Sequence, residues 1–293
     1  MADTLLDTVR RYTALHADAA GIARTPIPGL TTIRALAPSG LDYAISKPLV
    51  VLVVQGGKHV TLGDRGFAFG AGESMLIAAD VPTLSRITDA SADTPYLSLV
   101  LDLDPAVITG LCVEIDGVAA ASGLPIQIQP TDSEAADAAL RLMKLLDRPA
   151  AVPVLQAQLV REMHYWLLSG RHGAAIRRLG YPDGHARRIA RAVAILRRDF
   201  ATALSVDSLA EVAGMSASSF HQHFRAVTSL SPLQFQKQLR LIEARRLMMA
   251  EDAAPAQAAF AVGYESVHQF TREYARLFGA PPARDVRAMK AVA

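Results

Sequence analysis

Residues 216–227 have the sequence SASSFHQHFRAV, and the same pattern returns 50 residues later as SVHQFTREYARL at residues 266–277. In both copies a serine precedes two aromatic residues four positions apart, and an aliphatic residue follows three positions later. This spacing predicts a short helix that is capped by serine and buries one stripe of its surface. The repeated residues are Ser216 and Ser266, Phe220 and Phe270, Phe224 and Tyr274, Val227 and Leu277, and then Pro232 and Pro282.

The polar faces of these two helices differ, which predicts one fold that addresses two different surfaces. Glutamine can pair with adenine, arginine with guanine or phosphate, and serine or histidine with several base edges. The serine caps leave free amide donors at the helix N-termini, which suit phosphate oxygens. An ordinary solvated helix face remains the alternative for any single residue. The candidates are Ser216, Ser218, His221, Gln222 and Arg225 in the first copy, and Ser266, His268, Thr271 and Arg272 in the second.

The sequence around the copies predicts helix-turn-helix units. Ser205 is placed to cap a helix over residues 206–213, and Gly214 ends that helix just before the first copy. Between the copies, Ser231-Pro232-Leu233-Gln234 supplies a cap, a proline at the first helical position and a glutamine for a capping box. About 18 helical residues from there would form a rod of roughly 27 Å. Such a rod can hold two helices near the ~34 Å between successive major-groove turns.

Length and charge indicate two domains with different partners. A chain of 293 residues favours two domains. Residues 1–183 contain 15 basic and 19 acidic side chains, whereas residues 184–293 contain 15 basic and 9 acidic ones. The basic half contains the repeat, which favours a polyanionic partner, although a solvated helical surface fits the charge equally well.

The apolar runs are short and the N-terminus is not signal-like, so we expect a cytoplasmic protein with no membrane span. Cys112 is the single cysteine, which excludes an internal disulfide, and we expect it to be a small buried residue.

The first half has two kinds of periodicity. Short β-branched apolar blocks between residues 31 and 102 predict strands, with a tight hairpin at residues 55–58 and turns at 70–72 and 79–82. Several short strands with regular turns predict a small barrel or sandwich. A helix follows over residues 133–146, capped by Asp132 or Ser133, and a second helix has its apolar stripe at Leu155, Leu159, Met163, Trp166 and Leu167. This helical pair could pack on the β-domain or form a dimer contact, and the sequence favours neither.

The predicted fold class is therefore α+β with two domains. A β-rich domain with the helical pair spans residues 1–170, a glycine-containing linker spans 171–184, and an all-α double helix-turn-helix DNA-binding domain spans 185–293.

The second half also resembles the AraC/XylS family of bacterial transcription regulators, over residues 189–287. The likeness is carried by SVDSLA at residues 205–210, MSASSF at 215–220, SPLQF at 231–235, and above all VGYES at 262–266 with the LFG and PP motifs that follow. It implies two helix-turn-helix subdomains joined by a linking helix. Base contacts are implied at Ser218, His221 and Gln222, and then at His268, Gln269 and Arg272.

Three positions depart from the pattern of this family. Ser229 stands where glycine is usual, at a helix end that favours a left-handed residue, so we expect a strained turn there. His223 replaces a common arginine, which removes one phosphate contact. Pro255 lies in the helix before the second copy, where it is tolerable only in the first turn.

The first half resembles, more weakly, the N-terminal domain of one branch of the same family. The residues concerned include ISKP at 45–48, GGK at 56–58 and PYLSL at 95–99. The likeness implies a cupin-like barrel that senses a small molecule or another signal. A metal-dependent cupin-type enzyme is the alternative, but its site needs two or three histidines with a carboxylate, and residues 31–102 contain only His59.

The sequence thus predicts a DNA-binding transcription regulator and no enzyme, metal or cofactor. The expected partners are double-stranded DNA, a small-molecule effector and a second copy in a homodimer, with RNA polymerase as a possible further partner. A protein-protein adaptor that does not bind DNA is the second alternative.

Overall fold

The structure is a computed structural model that describes residues 3–63, 65–115, 125–181 and 184–290. The chain divides into two compact units, Met1–Arg187 and Arg188–Ala293. The first contains all the described strands and five of the described α-helices, and the described part of the second contains helices joined by turns and loops. The predicted order, a β-rich domain with a helical pair followed by an all-α domain, is confirmed.

The strands of the first unit form two antiparallel sheets. The six-stranded sheet has the order β1-β2-β9-β4-β7-β10, and the four-stranded sheet has the order β3-β8-β5-β6. The bounds are β1 (Ile22–Arg24), β2 (Leu30–Ala35), β3 (Asp42–Ser46), β4 (Leu49–Gln55), β5 (Gly57–Leu62), β6 (Arg65–Gly70), β7 (Glu73–Ile77), β8 (Val81–Asp89), β9 (Tyr96–Asp102) and β10 (Ile126–Pro130).

Five helices accompany these sheets, and one core joins the helices to the six-stranded sheet. Alternate residues of β4 and β9, such as Leu52 and Leu99, share this core with Leu142 and Met163 from two of the helices. Because alternate strand residues point to opposite faces, one face of the sheet is available to the helices. The helices are α1 (Leu5–His16), α2 (Pro105–Glu114), α3 (Ser133–Leu145), α4 (Val152–Ser169) and α5 (Gly173–Gly180), with a 3-10 turn at Pro149–Ala151.

The predicted hairpin at residues 55–58 is wrong. Residues 55–58 do contain a tight turn. Its Gly56 has φ +78°, and a Cβ added there would lie 2.4 Å from the Asp89 carbonyl oxygen. However, β4 belongs to the six-stranded sheet and β5 to the four-stranded one, so the turn transfers the chain between sheets. The turn expected at 79–82 is also shorter, since Val81 and Pro82 already begin β8.

The segment expected as a linker contains helix α5. Ala175 and Ile176 are buried in the core of the first unit, and Gly173 packs so closely that an added Cβ would lie 2.1 Å from the Leu168 carbonyl oxygen. The apolar residues at helical spacing therefore outweigh the glycines of this segment. The compact unit ends at Arg187, in the first turn of the next helix, and residues 182–183 of the expected linker lie outside the described residues.

The predicted stripe of α4 is only half correct. Met163 and Leu167 are buried, but Leu155 is 44% exposed and Leu159 and Trp166 are half-buried. Burial is therefore concentrated in the last turns of α4. The preceding helix α3 begins as predicted, with Asp132 at its N-cap position, although the Asp132 side chain forms no cap hydrogen bond.

Candidate nucleic-acid interface

The second unit contains two helix-turn-helix pairs. Helices α7 and α8 form the first pair, α10 and α11 form the second, and α9 lies between them in the chain and packs against α8, α10 and α11. The bounds are α6 (His185–Arg198), α7 (Val206–Ala213), α8 (Ala217–Thr228), α9 (Pro232–Ala250), α10 (Pro255–Ala261), α11 (Val267–Phe278) and α12 (Pro282–Lys290).

The two copies of the repeat bury the same aromatic stripe. Phe220, Phe224, Phe270 and Tyr274 are fully buried. The ring centroids lie 5.4 Å apart in the Phe220–Phe224 pair and 5.4 Å apart in the Phe270–Tyr274 pair. Each pair also contacts a third buried ring, since Phe235 packs edge-on against Phe224 at 5.6 Å and Tyr264 against Phe270 at 5.4 Å. Both helices are therefore packed through the same aromatic stripe, although the third ring comes from α9 in the first copy and from the turn before α11 in the second.

Helix α9 is the common support of the second unit. It begins at a complete capping box formed by Ser231 and Gln234, as predicted, and its 19 residues correspond to a length of about 28 Å. The guanidinium of Arg240 donates to the carbonyl oxygens of residues 200–202 and to that of Gly263, at 2.7–3.2 Å. Gln236 donates to two of the same carbonyls. These bonds tie the loop after α6 and the turn before α11 to α9.

The turns require unusual backbone conformations. Gly263, before α11, has φ +87°, and an added Cβ would lie 2.0 Å from the Ala201 carbonyl oxygen. Ser229, at the end of α8, has φ +63°, and Gly279 has φ +79° at the same place in the second copy. The expected left-handed residue at Ser229 is therefore present. Pro255 is the first residue of α10, the position at which proline does no harm.

The sequence candidates are nearly all exposed. Ser216 accepts a hydrogen bond from the amide of Ser219 at 3.3 Å, and Ser266 accepts one from the amide of Gln269 at 3.3 Å. Each cap thus leaves the first two amides of its helix without an intrahelical partner. Thr271 is half-buried and donates its hydroxyl to the Val267 carbonyl oxygen at 2.8 Å. The other candidates are exposed: Ser216, Ser218, His221, Gln222 and Arg225, and then Ser266, His268, Gln269 and Arg272.

The arginines of this unit include one buried ion pair, exposed ion pairs such as that of Arg246 with Glu243, and surface charges that no described acidic residue pairs. Arg245 forms an ion pair with Asp285 at 2.8 Å, with both side chains 12% exposed, and Tyr274 donates to the same carboxylate. That pair is structural. By contrast, no described acidic residue lies within ion-pair distance of Arg225 or Arg272. These two guanidinium groups remain available to an external anion.

Sequence reasoning missed a cluster around Glu273 on α11. This carboxylate accepts hydrogen bonds from Lys237 at 3.0 Å, from the Tyr264 hydroxyl at 2.9 Å and from the Gln269 amide at 3.2 Å. Burial alone would raise the pKa of Glu273, but these three hydrogen bonds together lower it below its ordinary value. Gln269 and Glu273 are four residues apart on one helix, a spacing that could have indicated the pair.

The first unit contains a serine-histidine pair that does not form a catalytic set. The Ser74 hydroxyl lies 2.9 Å from His172 Nε2, and both residues are 2% exposed. The nearby Asp132 carboxylate binds Arg171 instead, and His172 Nδ1 has no described partner. Within the described ranges, no group of three or more His, Cys, Asp or Glu side chains could hold a metal ion. None of the described helices is both long and apolar enough to cross a membrane.

The sequence matches two protein families. Residues 26–175 match the AraC-type transcriptional regulator N-terminus, and residues 209–288 match a helix-turn-helix domain. The first match lies within the first unit and the second match within the second unit.

Curated relatives include the HTH-type transcriptional activator RhaS of Escherichia fergusonii, which is 30% identical over 95 residues, or 32% of this chain and 34% of that protein. The RCS-specific HTH-type transcriptional activator RclR of Escherichia coli is 34% identical over 116 residues, or 40% of this chain and 35% of that protein. The match therefore spans only about a third of each relative.

Among solved structures, ToxT from Vibrio cholerae aligns with a TM-score of 0.57 and 11% identity over 88% of this chain and 97% of that one. A structure of wild-type ToxT with bound unsaturated fatty acid aligns with a TM-score of 0.50, also at 11% identity, over 88% of this chain and 93% of that one. At this identity the likeness concerns the fold.

Proposed function

Because the chain belongs to the family of AraC-type transcriptional regulators, we propose that it is a sequence-specific DNA-binding regulator whose first unit senses a signal. One observation carries the proposal. The second unit packs two helices through equivalent pairs of buried aromatic rings, while their opposite faces are polar, exposed and, at Arg225 and Arg272, unpaired by any described acidic residue. A double reader of successive major grooves needs this arrangement.

Each candidate residue has a role set by its chemistry. The N-termini capped by Ser216 and Ser266 bind phosphate oxygens, because their first amides have no intrahelical partner. Gln222 and Arg272 contact base edges, since their side chains can form bidentate pairs with adenine and guanine. The remaining contacts come from Ser218, His221, Arg225, His268, Gln269 and Thr271, of which Thr271 acts through its hydroxyl oxygen as an acceptor.

The test is an unbiased selection of double-stranded DNA with the full chain, followed by titrations at several salt concentrations. We expect a defined motif, and an affinity that falls with salt at a log-log slope of about −0.9 per phosphate contact. Recovery of no motif, with binding that is insensitive to salt, would refute the proposal and favour a protein-protein adaptor.

The sensing role is supported by a cavity of about 430 Å³ in the first unit. Its volume lies within the usual range of small-molecule sites, roughly 300–1,000 Å³. The residues that line it include Asp102, Asp104, Gln156 and His164. Burial raises the pKa of Asp102, and the positive charge of Lys47 opposes this shift. Thermal unfolding of the full chain with a metabolite library tests the role: an effector must raise the melting temperature, and Asp102→Asn must reduce that shift.

Dimerisation through the helical pair is supported by the exposed apolar residues Val154 and Leu155 on α4, at 66% and 44% exposure. Sedimentation equilibrium of the full chain tests this contact. We expect Leu155→Glu to shift the monomer–dimer equilibrium toward monomer. Contact with RNA polymerase and residence in the cytoplasm remain further parts of the proposal.

A further inference from the structure

Glu273 accepts hydrogen bonds from three polar side chains that belong to three elements. Its Oε1 accepts hydrogen bonds from Lys237 Nζ of α9 at 3.0 Å and from Gln269 Nε2 of α11 at 3.2 Å. Its Oε2 accepts one from the hydroxyl of Tyr264, in the turn before α11, at 2.9 Å. The Glu273 side chain is only 17% exposed, so these groups provide most of its hydrogen-bonding surroundings.

The charge of Glu273 determines which end of the Gln269 amide faces it. An ionised carboxylate can only accept hydrogen bonds, whereas an amide has a donating NH₂ end and an accepting carbonyl end. The donors around Glu273 keep its pKa below the ordinary value, so it is ionised at neutral pH. Gln269 must therefore turn its NH₂ group toward Glu273. The amide carbonyl oxygen, Oε1, is then the free end of this exposed side chain.

We propose that Glu273 is a positioning residue that fixes the Gln269 amide with its carbonyl oxygen toward the major groove, so that this position selects adenine or cytosine. This inference rests on the proposed DNA-binding function. Adenine N6 and cytosine N4 present amino donors in the major groove, whereas guanine O6 and thymine O4 present acceptors. A fixed carbonyl oxygen therefore accepts a hydrogen bond from adenine or cytosine. Opposite guanine or thymine it faces another acceptor and forms no hydrogen bond. Lys237 offsets the negative charge of Glu273.

A purely structural role for Glu273 predicts a different result. The ion pair with Lys237 and the bond to Tyr264 also tie α11 to its support. If that were the whole function, its loss would weaken binding to every DNA sequence alike. The positioning role instead changes base preference at one position of the site. Base preference is therefore the readout that separates the two.

The experiment compares DNA motifs selected by the full-length wild type, Glu273→Gln, Gln269→Ala and the double variant. Glutamine keeps the size of Glu273, but its neutral amide can donate or accept, so it no longer dictates the orientation of Gln269. We expect the wild type to prefer adenine or cytosine at one position by about fivefold or more, the lower limit for a good base contact. In Glu273→Gln this preference should fall to within about twofold, and the double variant should match Gln269→Ala. Glu211→Gln is the matched control, since it removes one exposed acidic charge from α7 and should leave the motif unchanged.

Three outcomes overturn the inference. The first is an unchanged preference in a folded Glu273→Gln variant, and the second is a preference at that position for guanine or thymine in the wild type. The third is that Gln269→Ala selects the same motif as the wild type, with the preference at that position intact. This result would refute the inference even if Glu273→Gln does not fold. Absence of any motif in the wild type would instead refute the proposed function on which the inference rests.

Discussion

Replacing Ser229 with glycine is expected to stabilise the second unit, whereas replacing Gly279 with alanine is expected to destabilise it. The two residues end equivalent helices of the repeat, with φ +63° and +79°. The repeat therefore supplies its own matched pair, in which one copy carries a side chain and the other does not. A Cβ built on Gly279 meets no heavy atom within 4 Å, so the penalty there comes from the backbone alone.

The magnitude follows from two opposing contributions. A left-handed conformation costs a residue with a side chain ~1–2 kcal/mol. Glycine, however, loses more conformational freedom on folding, which lowers the free energy of unfolding by ~0.4–1 kcal/mol relative to a residue with a side chain. We therefore expect Ser229→Gly to raise the free energy of unfolding by about 0.5–1 kcal/mol, and Gly279→Ala to lower it by a similar amount. The hydrogen bond from the amide of residue 229 to the Arg225 carbonyl oxygen, 2.8 Å long, is available to both serine and glycine.

Urea unfolding of the full chain measures both changes. The only tryptophan, Trp166, lies in the first unit, so its fluorescence follows that unit, while far-UV circular dichroism also reports the helices of the second. The fluorescence midpoint should be the same in all three proteins. A circular-dichroism midpoint that Ser229→Gly leaves unchanged or lowers, at an unchanged slope, would refute the account of a strained helix end.

Two other predictions concern binding and pH. Arg272→Ala should weaken binding to the selected DNA site by ~1–3 kcal/mol and relax the base preference at one position. Arg284→Ala, which removes another exposed charge on α12, should leave the motif intact. Equal affinities of Arg272→Ala and wild type in titrations would exclude this role of Arg272. Burial lowers the pKa of His164 and His172 below the ordinary 6.5, so the unfolded chain binds more protons than the folded one below that pH. The stability of the first unit should thus be full above about pH 6.5 and fall by up to ~1.4 kcal/mol per pH unit for each histidine as the pH drops toward the folded pKa. Trp166 fluorescence during urea unfolding at pH 5.5 and 7.5 checks this, and a midpoint independent of pH in His172→Gln but not in wild type would assign most of the effect to His172.

The sequence by itself determined the repeated helices of the second unit and the helix that links them, because the signals for these helices are local. Caps, helical periodicity and glycine ends act within one or two turns of chain, so the bounds of α7, α8 and α9 and the left-handed conformation at Ser229 follow from neighbouring residues. The repeat doubled that information, since each copy supports the other.

Only the tertiary structure decided the features that depend on distant residues. The turn at residues 55–58 has the composition of a hairpin, and nothing near it specifies that β4 and β5 enter different sheets. Sequence spacing likewise could not place Lys237 beside Glu273, 36 positions away, or Arg240 on the carbonyl oxygens of residues 200–202. Periodicity states which face of an element is apolar, but not which other element meets its polar side chains. The bonds from Lys237 and Tyr264 to Glu273 therefore arise only when the helices and turns of the second unit pack together.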